Sequence, residues 1–484
     1  MKWIKNNLLL LLIIIQPFLD VFAYFSMNTK YSIIPFLIRS ITLFATMVYS
    51  FFFTSNNKYR KYVVLVTIFG ICHFINSYFV SNVSLVDDIK EFVRVFYMPL
   101  LTTSIFVCVK DNDKAFTQIK NGITINLVQI FSIIMLNVIT GEIVYTYSEG
   151  IGLRGWFYNS NSQSVILCFC VPFVLYYIYK KNNILMTILF SAISFFLLYS
   201  NGTTGCYLLL IPTFGLLMYD IVFTNKNMNK LWLILLCLPL LCTVVLHKYS
   251  PDYRISHLTE QSINETKKEQ EEIEKKPGNV VSENNKPGSN KPNTSETPNK
   301  DSNGSTGKTN EQKLIDHYFD KQFVKDYGYE TIIDAIGDKM TIDYLVNNRY
   351  RKKLVASVIF NSSSLTTKLL GFEFQKCNQY GVDLETDYSA ILYYFGYIGF
   401  IIYLLLPLYV LSFLIKELLK NIKIVLDSEF ILLLSMFTML NLFAELSGSL
   451  LKRPNASIYL GLLFLAILFK YNRSDTSEKK ECNK

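Results

Sequence analysis

Apolar runs long enough to cross a lipid bilayer recur twelve times in this chain, and that recurrence constrains the fold more than any other feature. A hydrocarbon core of ~30 Å needs about 17 to 25 mostly apolar residues per helical crossing. The runs fall at residues 7–24, 32–53, 62–80, 93–109, 121–139, 162–179, 184–199, 205–223, 231–247, 388–411, 429–447 and 456–470. Backbone N–H and C=O groups at that depth have no water to bond, so each run must satisfy them internally as a helix. The sequence therefore predicts an all-α polytopic membrane protein. Spans one to nine lie within 1–247, a large loop occupies 248–387, spans ten to twelve lie within 388–470, and a tail covers 471–484. The first run follows MKWIK as a signal peptide would. It lacks a small-x-small cleavage site and continues through Gln16, Pro17 and Asp20, so it is read as a retained helix.

The formal net charge of +9 invites a nucleic-acid or anionic-lipid partner, but its distribution gives a different account. Lys2 and Lys5, Lys58, Arg60 and Lys61, Lys110, Lys114 and Lys120 occupy alternate loops. Lys180 and Lys181, Lys226 and Lys230, Lys416, Lys420 and Lys423, and the tail from Lys470 continue the series. In a twelve-span arrangement all of these share one side, which the positive-inside rule makes cytoplasmic. Both termini are then cytoplasmic, the long loop is extracytoplasmic, and no nucleic-acid partner is needed. Seven of the nine cysteines lie in or beside spans (Cys72, Cys108, Cys168, Cys170, Cys206, Cys237, Cys242), which argues for apolar filler rather than a disulfide framework. His73, His247, His257 and His317 lack metal-ligand spacing, so neither a metal nor a cofactor is expected.

The long loop divides in two. Residues 260–313 are rich in Asn, Ser, Lys, Glu, Pro and Gly with almost nothing to bury, and are expected to be disordered. Residues 314–387 carry apolar residues at helical spacings with Asn-rich breaks, and are expected to form short helices over the bundle.

A second set of charges runs against the positive-inside pattern. Asp20 lies toward the loop end of the first span, and Arg39 about two turns into the second. Lys90, Glu91 and Arg94 open the fourth span, Arg154 the sixth; Arg349 and Arg351 lie in the ordered loop, and Lys452 and Arg453 precede the last span. Charges at membrane depth are costly and suggest function by default, although Asp20 and Arg39 can simply neutralise each other. Cations converging on one face call for an anion, and guanidinium forks suit a pyrophosphate.

The segment GIGLRGWFYNSNSQS, residues 150–164, belongs to this set. Trp156, Phe157 and Tyr158 provide either an interfacial belt or stacking surfaces for sugar rings. Asn159 and Asn161 can cap the next helix or bond hydroxyls. Beyond the loop, Glu385 and Asp387 stand beside Tyr388 at the mouth of the tenth span. Either acid suits a general base toward a sugar hydroxyl, and either equally suits an ion pair with Arg349 or Arg154.

In this order the motifs resemble those of the bacterial O-antigen polymerase and O-antigen ligase superfamily, in particular its Gram-positive members. IIIQPFLDVF is similar to the Pro–Asp first helix of those members, and LRGWFYNSNSQS to an Arg-Gly-x-Phe-x-x-x-Asn motif opening a span. NNRYRKKL, then LLGFEF, then ETDYSAILYYFGYIG is similar to the order Arg…Gly-x-Gly…His/Glu-x-x-Tyr…Gly-x-x-Gly. The resemblance covers nearly the whole chain apart from the low-complexity insert. It implies a helical bundle of glycosyltransferase-C type acting on undecaprenyl-pyrophosphate-linked glycan, without metal or nucleotide sugar. Partners implied are that lipid-linked oligosaccharide, membrane lipid, and flippase and chain-length regulator proteins. The family's essential arginines map to Arg154 and Arg349. Three departures stand out: Glu385 with Asp387 where ligases carry a histidine, SNGTTGCY without an arginine after the seventh span, and Phe372–Glu373 after Gly371 where a second glycine is usual.

The sequence thus favours a polysaccharide polymerase, in which Arg154 and Arg349 neutralise the diphosphate leaving group. Arg39, Lys90, Arg94 and Arg351 would support the headgroup, and Glu385 or Asp387 would orient or deprotonate the acceptor. A ligase passing finished glycan to another acceptor shares the same donor. A flippase or exporter is the rival of another class, but such transporters tend to show internal repeats and midplane charges, and neither is evident. Asp111–Asn112–Asp113 mimics a metal-binding Asp-x-Asp, but it sits in a short loop with no nucleotide-binding domain.

Overall fold

The computed structural model describes residues 2–81, 84–224, 231–275, 309–337, 345, 347–446, 448 and 450–471. Eleven helices among them are long and apolar enough to cross a membrane, each at one of the expected runs. The remaining run, expected at 231–247, is the shorter helix Leu231–Val245. The first span is broken: Lys2–Ile14 and Gln16–Phe25 meet at Ile15, with Pro17 in the first turn of the second piece, where its missing N–H costs nothing.

Helix Ser160–Tyr179 occupies the centre and buries nearly every residue. Its Asn159 side chain caps the first turn, accepting from Ser162 N at 2.9 Å. Pro454–Tyr471 is almost as enclosed and packs against Leu85–Val109. By contrast, Ile34–Phe53 turns Ile41, Phe44, Phe52 and Phe53 outward, an apolar surface suited to lipid tails.

Two details depart from the sequence reading. An antiparallel hairpin, β1 (Tyr145–Tyr147) and β2 (Ile151–Leu153), precedes Arg154 in an otherwise helical protein. The Asn137 side chain anchors it, accepting from Val144 N at 3.0 Å and donating to Glu142 O. The stretch expected to be disordered from 260 begins instead as helix Pro251–Lys275. Its Glu, Lys and Gln are good helix formers, and the first proline after Pro251 is Pro277. Residues 276–308 lie outside the described residues.

The ordered part of the loop is a set of short helices, among them Asn310–Tyr318, Lys321–Tyr327, Tyr329–Ile336 and Asn348–Asn361. Its end folds back onto a break in Asp387–Lys420, where Gly396 takes φ +67° and ψ −176°. The break frees carbonyls that the loop then satisfies, with Phe372 N donating to Tyr393 O and Glu373 N to Tyr394 O. The approach is so close that a Cβ on Gly371 would lie 2.0 Å from Tyr394 O. His73 Nδ1 at 2.7 Å from Leu370 O and Asn76 Nδ2 at 2.8 Å from Gly371 O hold the loop from the other side.

Candidate functional site

Helix alternation brings the pattern-breaking charges to one end of the bundle, the end that carries the loop. There a cavity of about 480 Å³ is lined by Asp20, Arg39, Glu91, Arg94, Tyr158, Phe374, Asp383, Lys452, Arg453 and Asn455, among others. Six elements distant in sequence supply this wall, so it exists only once the bundle is assembled.

Most of its charges are compensated. Arg39 donates to Asp20 at 2.7 Å and to Gln16 Oε1 at 3.2 Å, with both ionic side chains buried. Arg94 pairs with Glu91 at 3.0 Å, and Lys452 with Asp383 at 2.9 Å. Lys452 also bonds the Leu384 carbonyl. Arg453 is different. Its guanidinium lines the cavity, and among the described residues it has no ion pair or side-chain hydrogen bond. Arg154 is not part of the cavity lining; it follows the hairpin, its main chain fixed by Val144 O and by the Gln163 side chain. Its Nε is buried without a hydrogen-bond partner among the described residues, and burial draws its pKa below the ordinary value, opposed by nearby Tyr24. Two guanidinium groups thus lack an anion at this end of the protein. Both are partly buried; a half-buried cation without a counter-ion is costly, and a bound phosphate group would relieve that cost.

Aromatic side chains border the same region. Tyr158 lines the cavity, and Trp156 lies 5.5 Å from Phe25 at the end of Gln16–Phe25. Asn159 is engaged as the helix cap already described, and the Asn161 main chain accepts from Ser164 Oγ.

Other expected site residues lie elsewhere. Lys90 pairs with Asp87 at 2.8 Å on the surface. Arg349 sits in a second cationic group on helix Asn348–Asn361, donating to Glu385 at 3.0 Å and to Leu446 O at 2.8 Å. Lys352 holds the other Glu385 oxygen at 2.7 Å, and Lys353 holds Glu445 at 2.9 Å. Burial opposes ionisation of Glu385, yet Lys352 and Arg349 together keep its carboxyl below the usual range. Arg351 bonds Asn348 and lies over the Tyr318 ring. Asp387 is fully buried and accepts from the Leu450 and Leu451 amides, both at 2.7 Å, which fixes the turn leading to Lys452 and Arg453. Tyr388 OH bonds Asn441.

Two residues passed over as site candidates now stand out. Asp383, two positions before Glu385, is the carboxylate that reaches the cavity from this strand of chain. Glu373 is buried with φ +72°, and neither carboxylate oxygen has a geometric hydrogen-bond partner among the described residues. Burial pushes its pKa up to about 8; the Gln375 main chain opposes the shift, and Asp88, Glu91 and Asp87 add to it. A glutamate in the left-handed conformation is what replaced the expected second glycine. That missing glycine was the one signal available in the sequence.

A bundle of membrane-length helices with a polar cavity, lined by cations and carboxylates at the end that carries the ordered loop, defines a multi-pass membrane protein. Residues 2–473 match the family described as O-antigen ligase like membrane protein, and the chain belongs to that family. A comparison with curated proteins finds no match. Membership supports a membrane-bound glycosyl-transfer role, polymerase or ligase in type, on lipid-linked glycan.

Proposed function

We propose that the protein is a polysaccharide polymerase that joins oligosaccharide repeat units carried on undecaprenyl pyrophosphate. The reaction would take place on the extracytoplasmic face, with both chain termini in the cytoplasm and no metal or nucleotide sugar required. The observation that carries this reading is the cavity where Arg39, Arg94, Lys452 and Arg453 converge, with Arg453 and nearby Arg154 unpaired. A diphosphate supplies the missing negative charge, and its negative charge grows as the glycosidic bond to it breaks, so fixed guanidinium groups favour the transition state over the bound donor.

In this scheme the growing glycan on its lipid diphosphate is the donor, and a hydroxyl of an incoming lipid-linked repeat unit attacks the anomeric carbon. Arg453 and Arg154 take the leaving diphosphate, with Arg94 and Arg39 supporting the headgroup. Trp156 and Tyr158 offer ring faces to the sugars. The second cationic group, Arg349, Arg351 and Lys352, steers the other lipid-linked substrate toward the cavity. Flippase and chain-length regulator proteins would supply the repeat unit and limit the product.

The test is a gel of surface and lipid-linked glycan from cells lacking the protein, complemented with wild type or Arg154→Ala. Single repeat units in the null strain, with no ladder restored by Arg154→Ala, are the expected result. Long glycan accumulating on the lipid carrier would make the protein a ligase, and repeat units trapped in the inner leaflet would make it a flippase.

A further inference from the structure

Glycosyl transfer to a hydroxyl releases a proton, so the site needs a group to accept it. Six carboxylates lie in or next to the cavity wall, and their surroundings differ. Glu373, next in the chain to the lining Phe374, is enclosed at 1% exposure. Asp20 and Glu91 are buried against guanidinium groups, with side-chain exposures of 4% and 9%. Glu385 faces the loop helix and is held by two cations. Asp387 is enclosed and spends one oxygen on two backbone amides. Asp383 alone combines a place on the cavity wall with an open carboxylate, its side chain 54% exposed.

We infer that Asp383 is the proton acceptor of the transfer reaction, a catalytic role that rests on reading the cavity as the glycosyl-transfer site. Asp383 Oδ1 is tied to Lys452 Nζ at 2.9 Å, while Oδ2 has no hydrogen-bond partner among the described residues. Lys452 is itself held from behind by the Leu384 carbonyl and the face of Tyr394. One carboxylate oxygen is therefore fixed by a buried cation, and the other is left to meet a hydroxyl. Arg453, next to Lys452 in the chain, brings the leaving-group cation to the same wall.

The acceptor oxygen forms a bond to the anomeric carbon as the bond from that carbon to the diphosphate oxygen breaks, and the electron pair departs with the diphosphate. The hydroxyl proton passes to Asp383 Oδ2 and then to water, which reaches the exposed carboxylate between turnovers. A positioned general base of this kind contributes about 10²–10⁴ in rate.

The experiment uses the full chain in lipid nanodiscs with a synthetic polyprenyl-diphosphate-linked oligosaccharide, reading glycan elongation and, separately, binding of the polyprenyl diphosphate alone. Asp383→Asn is expected to lower kcat about 100-fold or more while binding stays within about threefold of wild type. Asp383→Glu keeps the charge and the Lys452 pairing but displaces the carboxylate by one methylene, so it is expected to fold and to lose about tenfold or more in kcat. Wild-type turnover in both variants overturns the assignment and leaves the polymerase reading standing. Loss of diphosphate binding together with turnover in both variants makes Asp383 part of the binding wall and likewise overturns it. A wild-type chain that binds the diphosphate and elongates nothing overturns both readings.

Discussion

The two ends of the helix bundle both carry buried charge, and they use it differently. At the end away from the loop, Lys180 donates to both Asp220 oxygens at 2.8 and 2.9 Å, and Ser428 donates to the same carboxylate while accepting from the Tyr176 hydroxyl. Next to it Glu429 takes Tyr177 OH at 2.7 Å and Lys470, and Lys120 lies 5.0 Å above the Tyr177 ring. Every one of these charges has an ionic, hydrogen-bonding or aromatic partner, and together they tie five spans to one another. At the loop end, pairing is incomplete: Arg453 and Arg154 lack an anion, and Asp383 keeps one oxygen open. A saturated network holds a fold together, whereas an unsaturated one retains the capacity to bind. Buried ionic groups are weak evidence of stability gained, but removing one partner of such a pair is reliably damaging.

That contrast can be broken most directly at Asp220. Asp220→Ala leaves Lys180 without its counter-ion and should cost about 3–5 kcal/mol of stability, while the protein that does fold elongates glycan at the wild-type rate. Thermal unfolding in detergent alongside turnover per folded molecule checks this; lost turnover in fully folded protein would erase the distinction between the ends. Arg453→Ala is the mirror experiment. Turnover should fall about 100-fold or more, the scale seen when one group stabilising developing charge is removed, with melting temperature unchanged or raised.

Glu373 sharpens the comparison through pH. Its folded-state pKa of about 8 lies above its ordinary 4.5, so the folded protein retains a proton that the unfolded chain gives up. Below about 4.5 both states are protonated and there is no penalty. Between there and about 8 stability falls as pH rises, and above that the penalty is constant. Glu373→Gln imitates the neutral acid, so its stability should lack this decline and exceed wild type at pH 8 by about 1–3 kcal/mol. Parallel melting curves of the two proteins from pH 5 to pH 9 test the point. The smallest effect is expected at the Arg349–Glu385 pair, which is partly solvent-exposed: a double-mutant cycle should give a coupling of about 1 kcal/mol or less in stability.

Some of this was legible in the residue order because it depends on local physics. An apolar run of span length must be a helix in lipid, whatever its neighbours, and the eleven long spans follow. Asn159 before an apolar run is a helix cap on the same grounds. The Pro251–Lys275 helix was missed because polar composition suggested disorder, although the helix propensity of its Glu, Lys and Gln was also present in the sequence. Asp20 and Arg39 could be paired from their depths alone, since two opposite charges two turns into adjacent spans have few other partners.

The choice among the carboxylates was not legible. Asp383, Glu385 and Asp387 lie within five residues, and no local property separates them. Their roles are set by what arrives from elsewhere: Lys452 at Asp383, the loop helix at Glu385, and the Leu450–Leu451 amides at Asp387. The same holds for Glu373, whose unusual backbone is imposed by the broken helix at Gly396. The sequence by itself determined that this chain crosses a membrane many times, which stretches do so, and which charges resist that environment. Only the tertiary structure decided which of those charges neutralise one another and which face an open cavity, because a side chain's partner across a bundle is set by packing between helices remote in sequence.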